Sequence, residues 1–227
     1  MLEAARAVSP IEAPTIPVRT RFFDQRITQA SQVVLLAAGM DARAFRLAWP
    51  PETRLFEIDH PEVLALKQER LGDARPACLR TTVPIDLAED WPTALVARGF
   101  RPEIRTVWLA EGLLPYLDGP FVGTLLERLD RLSAARSVLL ADLIGRTLLE
   151  SPQLQPMLDF VRGLGAPWRF GTDAPEELLA PLGWEVTAHD LGSLAAEVGR
   201  WPWPVLPLFI PGIPRSFLVE ARKSERR

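Results

Sequence analysis

The apolar run Gln32-Val33-Val34-Leu35-Leu36-Ala37-Ala38 closes on Gly39, and the chain then repeats that pattern of apolar run and turn. A run this short, with no polar residue at every second position, reads as a strand buried on both faces. Four more runs follow: Arg54 to Asp59, Leu79 to Ile85, Ile104 to Leu109 and Ser137 to Asp142. Helical patterns separate them. Pro61 opens one, at the first helical position where its missing N–H costs nothing, with Val63, Leu64, Leu66 and Leu71 as its apolar face. Trp91 to Gly99 and Phe121 to Leu132 are two others. Strands alternating with helices imply right-handed crossovers and a doubly wound, mostly parallel α/β sheet covered on both sides.

After Asp142 the pattern changes. Helical stretches are expected around Pro152 to Gly163 and Ala174 to Leu182, and two late strands at Trp184 to His189 and Ser216 to Ala221. Those two strands are expected to form an antiparallel edge hairpin, which brings the sheet to seven strands. Between them, Trp201-Pro202-Trp203-Pro204-Val205-Leu206-Pro207-Leu208-Phe209-Ile210-Pro211 is too rich in proline for a helix or a central strand. The segment 190–215 is therefore expected to be a lid or an interface within a single domain spanning 1–227. Pro10, Pro14 and Pro17 point to an extended leader before residue 18.

Composition narrows the partners. The net charge of -3 gives no electrostatic reason to expect nucleic acid or an anionic membrane. No stretch approaches the ~18 uninterrupted apolar residues of a membrane span. Met1 to Arg6 has no apolar core, so no signal peptide is expected. The single cysteine, Cys78, cannot form an internal disulfide and reads as a small core residue, which fits a cytoplasmic location. No metal site is expected.

The chemistry concentrates at the strand ends. Leu36-Ala37-Ala38-Gly39-Met40-Asp41-Ala42-Arg43 turns directly after the first strand, where small residues let the backbone approach a ligand. Asp59 closes the second strand, 20 residues beyond Gly39. In a nucleotide-binding sheet an acid there faces a ribose; alternatively it caps the next helix. Asp86 and Leu87 end the third strand, where an Asp and a neighbouring N–H suit adenine. Glu111, in Leu109-Ala110-Glu111-Gly112, ends the fourth on the same ligand edge.

Taken together, VVLLAAGMDARAFRL from Val33, LFEIDHPEVLALK from Leu55, IDLAEDW from Ile85 and LAEGLLPYL from Leu109 resemble the leucine carboxyl methyltransferase family, and most closely its bacterial branch of tetracenomycin-type polyketide O-methyltransferases. The resemblance runs from about Val18 to the C-terminus. It implies a Rossmann-like class I fold, S-adenosylmethionine (SAM) as donor, S-adenosylhomocysteine (SAH) as product, and a small-molecule oxygen acceptor. It also implies that Ala38 and Gly39 line the methionine portion, Asp59 the ribose, Asp86 and Leu87 the adenine, and Glu111 the donor amino group. An arginine of Val18-Arg19-Thr20-Arg21 would take the donor carboxylate bidentately, with Arg21 preferred and Arg19 second. Two departures stand out. Ala37 replaces the first glycine of the family's Gly-Ala-Gly turn, which is tolerable if its φ stays negative. Only about 18 residues precede the arginine motif, where family members carry a longer helical region. The acceptor pocket is thus expected to be more open, or to be completed by another chain in a homodimer.

Methyl transfer from a sulfonium needs alignment and exclusion of water more than protein chemistry. A carboxylate acceptor needs no base, whereas a phenol benefits from one. His189 is the candidate base, and Tyr116, the helix near Met157 to Phe160 and the segment Trp201 to Phe209 are the candidate wall of the acceptor pocket. Two other functions remain open: an NAD-dependent oxidoreductase, although the turn lacks a full Gly-x-Gly-x-x-Gly, and a methyltransferase fold repurposed without methyl transfer.

Overall fold

The computed structural model describes residues 12–28 and 30–225. Its elements in chain order are α1 (Glu12–Ile27), β1 (Gln32–Leu36), α2 (Arg43–Arg46), β2 (Arg54–Asp59), α3 (Pro61–Leu71), β3 (Leu79–Pro84), α4 (Trp91–Ala97), β4 (Thr106–Ala110), α5 (Gly119–Arg131), β5 (Val138–Ile144), α6 (Arg146–Glu150), α7 (Gln155–Gly163), α8 (Pro175–Leu179), β6 (Trp184–Asp190), α9 (Leu191–Glu197) and β7 (Ser216–Lys223).

The strands form one seven-stranded sheet in the order β3-β2-β1-β4-β5-β7-β6. Strands β1 to β5 pair in parallel, and β7 runs antiparallel between β5 and β6. The central strands β1 and β4 are buried at every position, as strands covered on both faces must be, whereas the edge strands β3 and β6 are largely accessible. On one side Val34, Leu36, Phe56, Ile58, Trp108 and Leu139 pack against α4 and α5. On the other, Val33, Leu35, Leu55, Val107 and Leu109 pack against α1 and α9.

The expected extended leader is instead helical over 12–27, while residues 9–11 of that reading lie outside the described residues. Pro14 falls in the first turn, where N–H groups have no intrahelical partner anyway. Pro17 does forfeit a helical bond, but Val18, Phe22, Phe23 and Ile27, spread over about half of the helix circumference, all bury in the core. Burial on that scale, roughly 1.5–3 kcal/mol for each large side chain, outweighs the local penalty of one proline.

Cys78 is buried, and its thiol is pushed up to about 11, by burial first and the Glu57 charge second. It stays protonated at neutral pH, as an inert packing residue does. Glu57 lies two residues before Asp59, hence on the same side of β2. It is fully buried and paired with Lys67 at 2.9 Å and Arg80 at 2.8 Å. Only Asp59, at the strand's end, reaches the ligand edge.

Candidate active site

Strand order reverses between β1 and β4, and the crevice at that switch lies outside their C-terminal ends. A cavity of about 340 Å³ opens there, lined by Arg19, the turn from Ala37 to Arg43, Arg46, Leu109 and Glu111. Ala38 continues the β1–β2 ladder by donating its N–H to the Ile58 carbonyl at 3.0 Å. The chain then bends sharply. Gly39 has a φ of 47°, and Ala37, against expectation, has a φ of 51°. The left-handed conformation costs a residue with a Cβ roughly 1–2 kcal/mol, so the Ala37 methyl is tolerated under strain.

Asp59 ties this turn to β2. Its Oδ2 accepts the Gly39 N–H at 2.6 Å, and its Oδ1 accepts the His60 N–H at 2.7 Å. The cap position of α3 is held by His60, with no side-chain cap bond, so Asp59 does not act as the helix cap. A carboxylate offers about four lone-pair sites, and two remain for ligand hydroxyls. Farther along the edge, Asp86 Oδ1 accepts the Ala88 N–H at 2.8 Å. Its Oδ2 lies 3.9 Å from His60 Nδ1. Leu87 is buried beside it.

A charged network lines the other end of the crevice. Arg19 Nε donates to Glu111 Oε1 and its Nη1 to Asp142 Oδ2, both at 2.9 Å. Arg43, almost wholly buried, reaches Glu111 Oε2 and Asp24 Oδ1 at 2.7 Å and also pairs with Asp41. Arg46 holds both oxygens of Asp24. Burial alone would lower the pKa of Arg19, but the charges of Asp142 and Glu111 outweigh it and raise it. The same balance, with Asp41 as the largest favourable charge, raises that of Arg43. For Asp24, burial pushes upward, yet its bonds to Arg46 and Arg43 hold it below the usual carboxylate range. The guanidinium groups of Arg19, Arg43 and Arg46 face the carboxylates of Asp24, Asp41, Glu111 and Asp142, three cations against four anions. The cluster therefore keeps one net negative charge.

The two candidate arginines separate cleanly. Two residues on a helix point about 200° apart, so Arg19 turns into the crevice and Arg21 is exposed outside its lining. Arg43 and Asp142 were not singled out from the sequence. The Asp41-Ala42-Arg43 spacing directly after the glycine turn was the available signal for Arg43.

A second cavity, of about 370 Å³, adjoins the first. Arg19 is the residue common to both linings. Tyr116, Met157, Trp168, Leu148 and Phe217 make this second lining largely apolar, and Asp142 faces it. Tyr116 and Met157 stand where the acceptor pocket is expected, but Phe160 does not line it. The Trp/Pro segment borders a smaller adjoining recess of about 70 Å³ through Trp201, Pro204, Val205 and Leu206. His189 lies outside all three linings, with its ring 5.1 Å from that of Phe22. Burial, then the charge of Arg26, holds its imidazole below its usual pKa. The structure thus leaves the candidate base outside the cavity that would need it.

In a doubly wound sheet the crevice at the switch point, outside the C-terminal ends of the strands, is where a ligand binds. Residues 3–130 match the family model described as leucine carboxyl methyltransferase, and the chain belongs to that family. A Frankia alni protein named for a proposed S-adenosyl-L-methionine-dependent methyltransferase activity is 45% identical over 197 residues, 80% of this chain and 68% of that one. A Streptomyces avermitilis protein, similarly named, is 44% identical over 210 residues, 87% and 72% of the two chains. Among solved structures, a Thermobifida fusca protein named for a proposed methyltransferase activity superposes with a TM-score of 0.67 at 19% identity, covering 98% of this chain and 86% of that one. That likeness supports the shared fold.

Proposed function

We propose that the chain is an O-methyltransferase that methylates a carboxylate or phenol oxygen of a small, polyketide-like organic acceptor held in the second cavity. The observation that carries this reading is the meeting of two unlike cavities at Arg19. One is polar and at the switch point, the other is apolar, and each lies in the 300–1,000 Å³ range of small-molecule sites. When bound, S-adenosylmethionine supplies an electrophilic methyl group on a sulfonium.

In this reading Asp59 accepts from the ribose hydroxyls, Asp86 and the backbone at Leu87 meet the adenine, and Ala38 and Gly39 flank the methionine portion. Glu111 pairs with the donor ammonium, and Arg19 takes the donor carboxylate through N–H groups that its present partners leave unused. The net negative charge of the cluster favours a donor with one surplus positive charge. It disfavours a pyrophosphate, which argues against NAD. Tyr116, Met157 and Trp168 hold the acceptor and exclude water. Among the described residues no helix is long and apolar enough to cross a membrane, and we infer a cytoplasmic enzyme.

The test has two stages. Calorimetry with SAM, SAH and NAD should give binding for the first two alone. Mass spectrometry after incubation with SAM and a library of aromatic carboxylates and phenols should then show a gain of one methyl. Tight NAD binding without SAM binding defeats the reading. SAM binding with no methylated product points instead to a repurposed fold.

A further inference from the structure

The second cavity has a neighbour on the side away from the donor crevice. Thr15, Leu148, Leu191 and Ser216 line both that cavity and the recess of about 70 Å³ under the proline-rich segment, so the two spaces adjoin. Thr15 and Arg19 stand four residues apart on one face of α1, about 6 Å along its axis. Arg19 marks where the cavity meets the donor crevice, and Thr15 marks where it meets the recess. One aromatic ring with its substituents spans that interval.

The recess is built for an apolar group. Trp201, Pro204, Val205, Leu206, Ile213 and Pro214 line it. The charged groups at its edge are bonded to protein. Arg215 Nη2 donates to the carbonyls of Leu206 at 3.0 Å and Pro207 at 2.7 Å, and its Nη1 donates to Asp190 Oδ2 at 3.3 Å. Both side chains of that pair are only 9% exposed. Asp190 is fixed in turn, because its Oδ1 accepts the Ser193 N–H and hydroxyl, each at 2.7 Å. Arg215 thus straps the proline-rich segment down by its carbonyls. Water bonds poorly in such a space, and an apolar group that displaces it gains affinity. The volume is several times the roughly 10–15 Å³ that one water needs, which suits a chain of a few carbons.

We propose that the recess is a subsite of the acceptor pocket for a short apolar arm, carried on the acceptor ring opposite the reacting oxygen, and that Arg215 is the positioning residue that holds the wall of that subsite. This rests on the methyltransferase reading above and narrows its substrate class. The ring lies among Tyr116, Met157 and Trp168, with its oxygen at the Arg19 end and its arm at the Thr15 end. The reacting oxygen belongs to a carboxylate or a phenol alike, since the recess reads the other end of the molecule.

The test is binding, so it does not depend on turnover. The full chain, saturated with SAH, is titrated at neutral pH with two probe pairs, benzoate with 4-butylbenzoate and phenol with 4-butylphenol. Each buried methylene contributes about fourfold in affinity, so the butyl member should bind at least about tenfold more tightly in any pair the site accepts. Ile213→Trp places an indole in the recess and should bring that ratio below about threefold. Arg215→Met keeps an apolar stem but releases the Leu206 and Pro207 carbonyls, and should lower the ratio similarly while SAH affinity holds. Arg215→Lys can still donate to those carbonyls and should restore part of the preference. A wild-type ratio near one, binding of no probe, or an undiminished ratio in Ile213→Trp overturns the proposal. An undiminished ratio in Arg215→Met, or no recovery in Arg215→Lys, overturns the role given to Arg215. If one variant does not fold, the other and the wild-type ratio decide. Failure of SAH to bind the wild-type chain overturns the underlying reading, and the two failures are thereby distinguished.

Discussion

The Gly39 N–H and the Asp59 carboxylate, 20 residues apart in the chain, meet at 2.6 Å and lock the turn after β1 to the end of β2. This bond gives Asp59 a role before any ligand arrives, because it fixes the floor on which a ribose would rest. Asp59→Ala removes the carboxylate proposed for the ribose and frees the turn together. Hydrogen bonds to a charged group contribute about 1.5–3 kcal/mol, so SAH affinity should fall by at least tenfold, with a lower melting temperature. Unchanged calorimetric affinity in a folded variant would reduce Asp59 to a structural tie.

Ala37 occupies left-handed backbone, with a φ of 51°. Ala37→Gly should relieve roughly 1–2 kcal/mol of strain. About 0.4–1 kcal/mol of that gain is offset by the greater freedom of glycine in the unfolded chain. The expected net is a stabilisation of roughly 0.5–1 kcal/mol in urea unfolding. A destabilised variant would show that the methyl is packed rather than strained.

Much of the architecture was readable because β1, β4 and β5 are mainly apolar runs and each parallel strand ends on, or is followed within three residues by, a glycine or an acid. Gly39, Asp59, Asp86 and Glu111 all stand within three residues of such an end. What stayed hidden depended on burial by distant partners. Helix α1 contains Pro17, and its apolar face is recognisable only once Phe22 and Phe23 have a sheet to cover. The choice between Arg19 and Arg21 followed from that error, since an extended leader gives no reason to separate them and a helix turns them apart. Asp142 was read as a strand end. Its importance comes from Gly112 and Arg19, 30 and 123 residues away, which no local pattern joins.

That separation is itself testable. Arg19→Ala removes the one guanidinium that, among the described residues, lines both cavities, and leaves Glu111 and Asp142 without it. SAH affinity should drop by tenfold or more, the scale of a charge-assisted bond worth about 1.5–3 kcal/mol. Arg21→Ala is a surface change and should stay within about twofold, given the roughly ±0.5 kcal/mol typical of such sites. Equal losses in both variants would contradict the placement of α1.

Trp201 anchors the proline-rich segment. Its ring packs edge-on to Trp203 at 4.8 Å, and a Cβ added at Gly192 would lie 3.1 Å from it. Beyond this anchor, Leu208 and Phe209 are exposed, the latter by 84%. Trp201→Ala should leave SAH affinity unchanged, because the segment does not line the donor crevice. It should lower turnover and speed proteolysis between residues 202 and 214. Unaltered turnover and proteolysis would make the segment ordinary surface packing.

His189 supplies the pH-dependent case. Burial and the nearby Arg26 hold its folded pKa below the ordinary value of 6.5. The folded state therefore resists protonation more than the unfolded chain does. Stability owed to the neutral ring is present above pH 6.5 and is lost as pH falls from there toward the lower folded pKa, because the unfolded state takes up the proton first. His189→Gln removes the titrating group and should flatten that part of the stability curve. The difference between wild type and variant, followed by denaturant unfolding, should thus change as the pH falls below 6.5 and stay constant above it. The same substitution bears on catalysis. His189 lies against Phe22 and outside the second cavity, so turnover at neutral pH should survive in the glutamine variant. A large fall in turnover, with SAH binding and stability retained at that pH, would return His189 to the role of base.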